Sequence, residues 1–138
     1  MNLKEKQLNA EYIYKGKIIN VRKDTAEIPN GTTAIREVVE HNGGVCVCAL
    51  TDKNEIIFVK QFRYPYMEEI LEIPAGKLDY VGEDPVAAAL RELSEETGAT
   101  CKSLRFIGNY LGSPALLDEN IWMYLANSSV QLGALWKT

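Results

Sequence analysis

Hydrophobic positions along this chain fall into short runs separated by polar turn signals, and their period changes once. Residues 11–29 alternate weakly and are rich in β-branched side chains, Pro29–Asn30–Gly31 follows as a turn, and AIREVVEH occupies 34–41. The pattern predicts a hairpin of two strands. GGVCVCAL and EIIFVKQFRY are apolar runs divided by the polar cluster TDKN, which predicts strands over 44–50 and 55–63. LEIPAGKLDYVGEDP reads as a short strand entering a loop with two glycines and two prolines. A helical period then takes over: Asp84 suits the N-cap, Pro85 the first helical position, and Gly98 the left-handed residue that ends a helix. LRFIGNYL and NIWMYLANSS predict two more strands, joined by GSPALLDE.

Composition narrows the class. At 138 residues with 46% hydrophobic and 25% charged positions, the chain suffices for one packed core. A net charge of -4 argues against a nucleic-acid polymer as partner, which would require a basic stripe. There is no apolar run of signal-peptide length near the N-terminus and none of the roughly 20 residues that span a bilayer, so the expectation is a cytoplasmic protein with no membrane partner. Cys46 and Cys48 share a strand face and Cys101 stands alone, with His41 distant. Buried small hydrophobes in a reducing compartment fit better than a zinc site or redox pair.

The helix carries the candidate chemistry. At about 100° per residue, Val86, Ala89, Leu90, Leu93 and Thr97 gather on one arc and Glu92, Glu95 and Glu96 on another. A charge run on a helix is ordinarily a solvated face. Like charges at this spacing repel, however, and lysines at i+4 are missing, Arg91 being the nearby cation. Clustered hard oxygen donors are what Mg2+ or Mn2+ accepts, so the acidic arc is a candidate metal site.

Spacing sharpens that reading. Gly76, Glu83, Arg91-Glu92-Leu93, Glu95-Glu96, Gly98 and Ala99 resemble the Nudix box, G-x5-E-x7-R-E-U-x-E-E-x-G-U with U aliphatic. Six residues rather than five separate Gly76 from Glu83, which lengthens the loop and leaves the helix register intact, and Ala99 is a small U residue. The resemblance implies an α/β (α+β) Nudix fold: a mixed sheet with a catalytic helix, preceded by a small N-terminal antiparallel sheet. It implies Glu92, Glu95, Glu96, Arg91 and Glu83 as catalytic residues. Glu92, Glu96 and the Ala75 carbonyl would ligate the metal, Glu95 would be a further ligand or support one, Glu83 would steady the site, and Arg91 would hold a box carboxylate. Arg91 alone would read as a surface charge.

Outside the box, REVVEH, QFRYP, LEIPAG, SPALLDE and Pro114, sixteen residues after Gly98, resemble the ADP-ribose pyrophosphatase branch. That resemblance implies a nucleoside diphosphate sugar as substrate, with Arg36 and Arg63 toward its phosphates or ribose, Glu72 toward the ribose or adenine, and Tyr12 or Tyr14 stacked on adenine. The fork of arginine suits phosphate oxygens. The plainer alternatives are an edge-strand ion pair for Arg36 and strand packing for the tyrosines. SPALLDE has Ala115 where the branch commonly carries glycine. The branch also implies a homodimer, with 1–40 as N-terminal strands and candidate dimerisation region and 41–138 as the Nudix domain. Relatives continue into an acidic loop and a closing helix, and the expectation here is that both are missing: NSSVQLGALWKT holds no carboxylate, turnover would be slow, and Leu132, Leu135 and Trp136 would be exposed or docked on a partner. Three classes follow: an ADP-ribose or ADP-sugar pyrophosphatase, a Nudix hydrolase of another nucleotide, and a non-catalytic binding module.

Overall fold

The computed structural model describes residues 2–127 and 130–132. The expectations for Leu135, Trp136 and a closing helix lie outside those residues, whereas Leu132 is exposed. Strands β1 (Lys6–Lys15), β2 (Ile19–Glu27) and β3 (Thr33–His41) form an antiparallel sheet in the order β1-β2-β3. The predicted single strand over 11–29 is thus two. The chain turns at Gly16, whose N–H donates to Ile19 C=O at 2.9 Å, and the weak alternation blurred this break because residues on both sides are β-formers. The turn at Pro29–Gly31 forms as expected, with Gly31 at φ 84° and the Asn30 side chain accepting from Thr32 N–H at 2.9 Å.

The remaining elements are β4 (Gly44–Ala49), β5 (Val59–Arg63), β6 (Glu68–Glu72), β7 (Ala75–Lys77), α1 (Pro85–Thr97), β8 (Arg105–Tyr110) and β9 (Ile121–Ala126). β7, β4, β9 and β8 form a mixed four-stranded sheet, with β4 parallel to β9 and the other pairs antiparallel. β5 and β6 make a separate hairpin, whose short turn ends on Met67 in the left-handed region. The fold is α+β.

The chain divides into two compact units: one runs up to Asn42 and includes Leu111–Glu119, the other holds Gly43–Tyr110 and the chain from Asn120. The apolar core belongs to the second. Val45, Val47 and Ala49 of β4 pack with Ile57, Leu78, Tyr124 and Ala126 and with Ala88, Ala89 and Leu93 of α1. The helix is capped as its sequence dictates: the Asp84 side chain accepts from Val86 N–H at 3.2 Å, Pro85 opens it, and Gly98 closes it at φ 69°.

One expectation about α1 is corrected. Val86 and Leu90 are exposed, while Ala88, Ala89, Leu93 and Thr97 are buried. The alanines allow close approach, so the buried arc runs from Thr97 round to Ala88 and takes in the positions of Glu92 and Glu96. The acidic residues are therefore not one solvated face. The Glu92 side chain is only 13% exposed against 61% for Glu95.

Candidate functional site: a carboxylate cluster on the helix

Glycine at 76 makes room for the first carboxylate. A Cβ on Gly76 would overlap the Glu92 carboxyl group, so any other residue there displaces it. The second carboxylate is anchored from β7 and β5: Glu96 accepts the Ala75 N–H at 3.0 Å and the Gln61 side-chain amide. Burial pushes Glu96 above the usual carboxylate range. The bonds from Ala75 and Gln61 oppose that rise, nearby Glu92 adds to it, and Arg63 counters it.

Arg91 organises the rest. It donates to Glu92 at 2.7 Å, lies 3.4 Å from Glu83 and from Glu95, and reaches Asp79 at 3.5 Å. Burial works against its charge, but the bond to Glu92 and the surrounding carboxylates raise its pKa. Glu83 also accepts the Asp79 N–H at 2.7 Å, which closes the lengthened 77–83 loop on the helix. Across the β5–β6 hairpin, Arg63 forms a two-pronged pair with Glu72, one arm at 2.7 Å. That bond holds Glu72 below the ordinary glutamate range.

Among the described residues no three His, Cys, Asp or Glu groups converge as a metal cage. The donor chemistry nevertheless fits a hard divalent ion: the Glu92 carboxylate lies on a cradle that a Cβ would fill, and the neighbouring Glu96 carboxylate is held by the Ala75 N–H. Gln61 and Asp79 are the site residues that the sequence reading did not assign. Gln61 was legible by alternation, since it stands two before Arg63 on one strand face. Asp79 joins only because the loop folds back.

Arg36 and Tyr14 lie in the other unit. Arg36 forms a two-pronged pair with Glu5, at 2.7 and 2.9 Å, and Tyr14 is exposed on β1. Tyr12 donates to Glu40 at 3.3 Å, with the Lys15 ammonium 4.4 Å from its ring centre. Beside Arg36, a cavity of about 390 Å3 is lined by Arg22, Asp24, Glu37 and Ala115.

With this geometry in place, comparison with known proteins decides the family. Residues 40–132 match the NUDIX domain, and residues 5–39 match the nucleoside diphosphate sugar hydrolase N-terminal domain. The chain belongs to the NUDIX family. The Nudix chain is 48% identical over 125 residues to the ADP-ribose pyrophosphatase of Bacillus subtilis (strain 168), a match covering 91% of this chain and 67% of that protein. It is 45% identical over 122 residues to the methanol dehydrogenase activator of Bacillus methanolicus, covering 88% and 65%. It thus spans about two thirds of the length of these relatives. The crystal structure of an ADP compounds hydrolase superposes with a TM-score of 0.80 at 22% identity, over 99% of this chain and 74% of that one, and shares its fold.

Proposed function

We propose that this Nudix chain is a metal-dependent hydrolase that cleaves the diphosphate of ADP-ribose or a related ADP-sugar into AMP and a sugar phosphate. The observation that carries this is the Glu92–Glu96 pair, one carboxylate seated on Gly76 and the other tied to Ala75 and Gln61. The similarity to an ADP-ribose pyrophosphatase over most of the chain supports the substrate class.

Glu92, Glu96 and the Ala75 carbonyl would hold Mg2+ or Mn2+. When bound, such an ion supplies several kcal/mol of charge stabilisation at phosphoryl oxygens and lowers the pKa of water toward neutrality. The protein's own part is orientation. Arg91 locks the Glu92 carboxylate against the glycine cradle, and Glu83 fixes Arg91 from the loop side. Gln61 and the Ala75 N–H fix Glu96. Arg63 offers a planar fork to the diphosphate, and its partner Glu72 offers an acceptor for a ribose hydroxyl.

Homodimerisation through the N-terminal strands belongs to the same reading. Leu8, Ile13, Tyr14 and Ile35 are exposed on the first sheet, an apolar surface suited to a second copy. No helix among the described residues is long and apolar enough to cross a membrane, and the free cysteines suit a reducing cytoplasm.

The test is a panel of ADP-ribose, ADP-glucose, NADH and dNTPs with magnesium or manganese, reading phosphate-containing products. AMP with ribose 5-phosphate is expected. Hydrolysis of dNTPs alone would move the chain to another Nudix substrate class, and tight ADP-ribose binding without turnover would make it a binding module.

A further inference from the structure

Part of the 111–119 segment is laid along β3. The Val39 N–H donates to Leu116 C=O at 2.7 Å, the Asp118 N–H donates to Val39 C=O at 3.1 Å, and Val39 pairs with Leu117 in a parallel bridge. β3 stands at an end of its sheet, so these contacts satisfy an otherwise open edge. Leu116 and Leu117 N–H both return to Ser113 C=O, at 3.1 and 2.9 Å, which folds the segment into a tight turn presenting Ala115. Ala115 is a wall of the cavity that Arg22, Asp24 and Arg36 also line.

His41 ties the C-terminal end of this segment twice. Its backbone N–H donates to the Asp118 carboxylate at 2.8 Å, and its ring Nδ1 lies 3.2 Å from Glu119 Oε1. The ring is 12% exposed and the Glu119 side chain 25%, so water competes weakly for the contact. Any residue at 41 keeps the backbone bond; the bond to Glu119 needs a side-chain donor at the position of Nδ1.

We propose that His41 is a positioning residue for substrate recognition: through Glu119 it clamps the 113–118 turn onto β3 and so sets the Ala115 wall of the Arg36 cavity. This rests on the reading, made above, that Arg36 serves the substrate. A residue that acts only through Glu119 should, on its loss, affect binding and spare the chemical step.

The experiment compares His41→Ala, His41→Asn, Glu119→Ala and the His41→Ala/Glu119→Ala double variant in the full chain. ADP-ribose kinetics are combined with hydrogen exchange at single amides. Each alanine variant should raise KM about three- to tenfold with kcat within twofold, and the double variant should be no worse than the worse single one, since both sever one contact. His41→Asn, whose amide nitrogen mimics Nδ1, should recover most of the KM. The Val39 and Asp118 amides should exchange at least fivefold faster in His41→Ala while those of Val45 and Val47 stay as they were. Unchanged KM, additive losses, a fall in kcat without a rise in KM, or faster exchange reaching β4 would each overturn the clamp. If the unsubstituted chain does not hydrolyse ADP-ribose, the functional reading fails instead. The exchange measurement then decides alone, unchanged exchange at Val39 and Asp118 in His41→Ala refuting the clamp.

Discussion

In the four-stranded sheet, β4 sets Val45, Val47 and Ala49 under Ala88, Ala89 and Leu93, and water is excluded from all of them. In the N-terminal sheet the corresponding positions of the middle strand are Arg22, Asp24 and Ala26. Asp24 is buried, accepting from Arg22 at 2.9 Å and from Gln7 at 2.8 Å, and Arg22 continues to Glu40. The buried cluster of the second unit is thus apolar, whereas the N-terminal sheet adds to its backbone ladders a chain of charge-assisted hydrogen bonds around a buried Asp24. Apolar burial is non-directional and makes a rigid floor, on which a helix can hold side chains in fixed directions. Ion-pair networks fix register and direction but contribute less per contact.

The largest expected effect probes the apolar side of this contrast. Leu93→Ala should cost about 2–5 kcal/mol in denaturant unfolding, because the cavity under α1 cannot collapse. Ile35→Ala, at 51% exposure, should cost within about 0.5 kcal/mol in the same measurement. A comparable loss for Ile35→Ala would mean that its face is covered in solution, as in a dimer, and would break the contrast.

Next in size is Glu96→Gln. Removing one anionic oxygen from the proposed ion site should lower ADP-ribose hydrolysis about a hundredfold, roughly 2.7 kcal/mol of barrier. Stability measured in a chelator should hold or rise, since the lost charge is half-buried and near Glu92. Near-normal turnover at limiting magnesium would remove Glu96 from the metal set.

The two paired arginines give a smaller, sharper comparison. Arg63→Ala should raise KM for ADP-ribose about tenfold without altering the metal requirement, and Arg36→Ala should raise it by less, about threefold. An unchanged KM for Arg63→Ala would return that residue to a structural pair with Glu72.

The smallest effect is in pH. Although burial opposes ionisation, bonds from Arg22 and Gln7 hold Asp24 below its ordinary value, and the Arg36 bond does the same for Glu5. Depressed folded values mean that this stabilisation is complete above the ordinary carboxylate range and is lost as pH falls through the folded values. Acidification below about pH 4 should therefore loosen β1 and β2 before β4, seen as earlier loss of amide protection after correction for intrinsic exchange. Simultaneous loss in both sheets would show that the ion-pair chain contributes little.

Local chemistry explains what was legible in the sequence. The helix bounds followed from Asp84, Pro85 and Gly98, and β4 from an apolar run buried on both faces, since each depends on neighbours a few residues apart. The break at Gly16 was hidden because strand-forming residues flank it on both sides. The substrate residues expected on one ligand, Arg63 with Glu72 and Arg36, proved to be paired within separate units.

By itself the sequence determined the box, the helix that carries it, the α+β class and the acidic character of the site, all consequences of spacing and local backbone preference. Tertiary structure decided which glutamates turn inward. Periodicity placed Glu92, Glu95 and Glu96 together on one arc. The close approach of Ala88 and Ala89 to the sheet turned Glu92 and Glu96 inward, the missing Cβ of Gly76 made room for Glu92, and Glu95 was left in water. Packing between elements far apart in the chain sets that rotation, because a helix can bury either edge of its apolar arc until the surface beneath it is known.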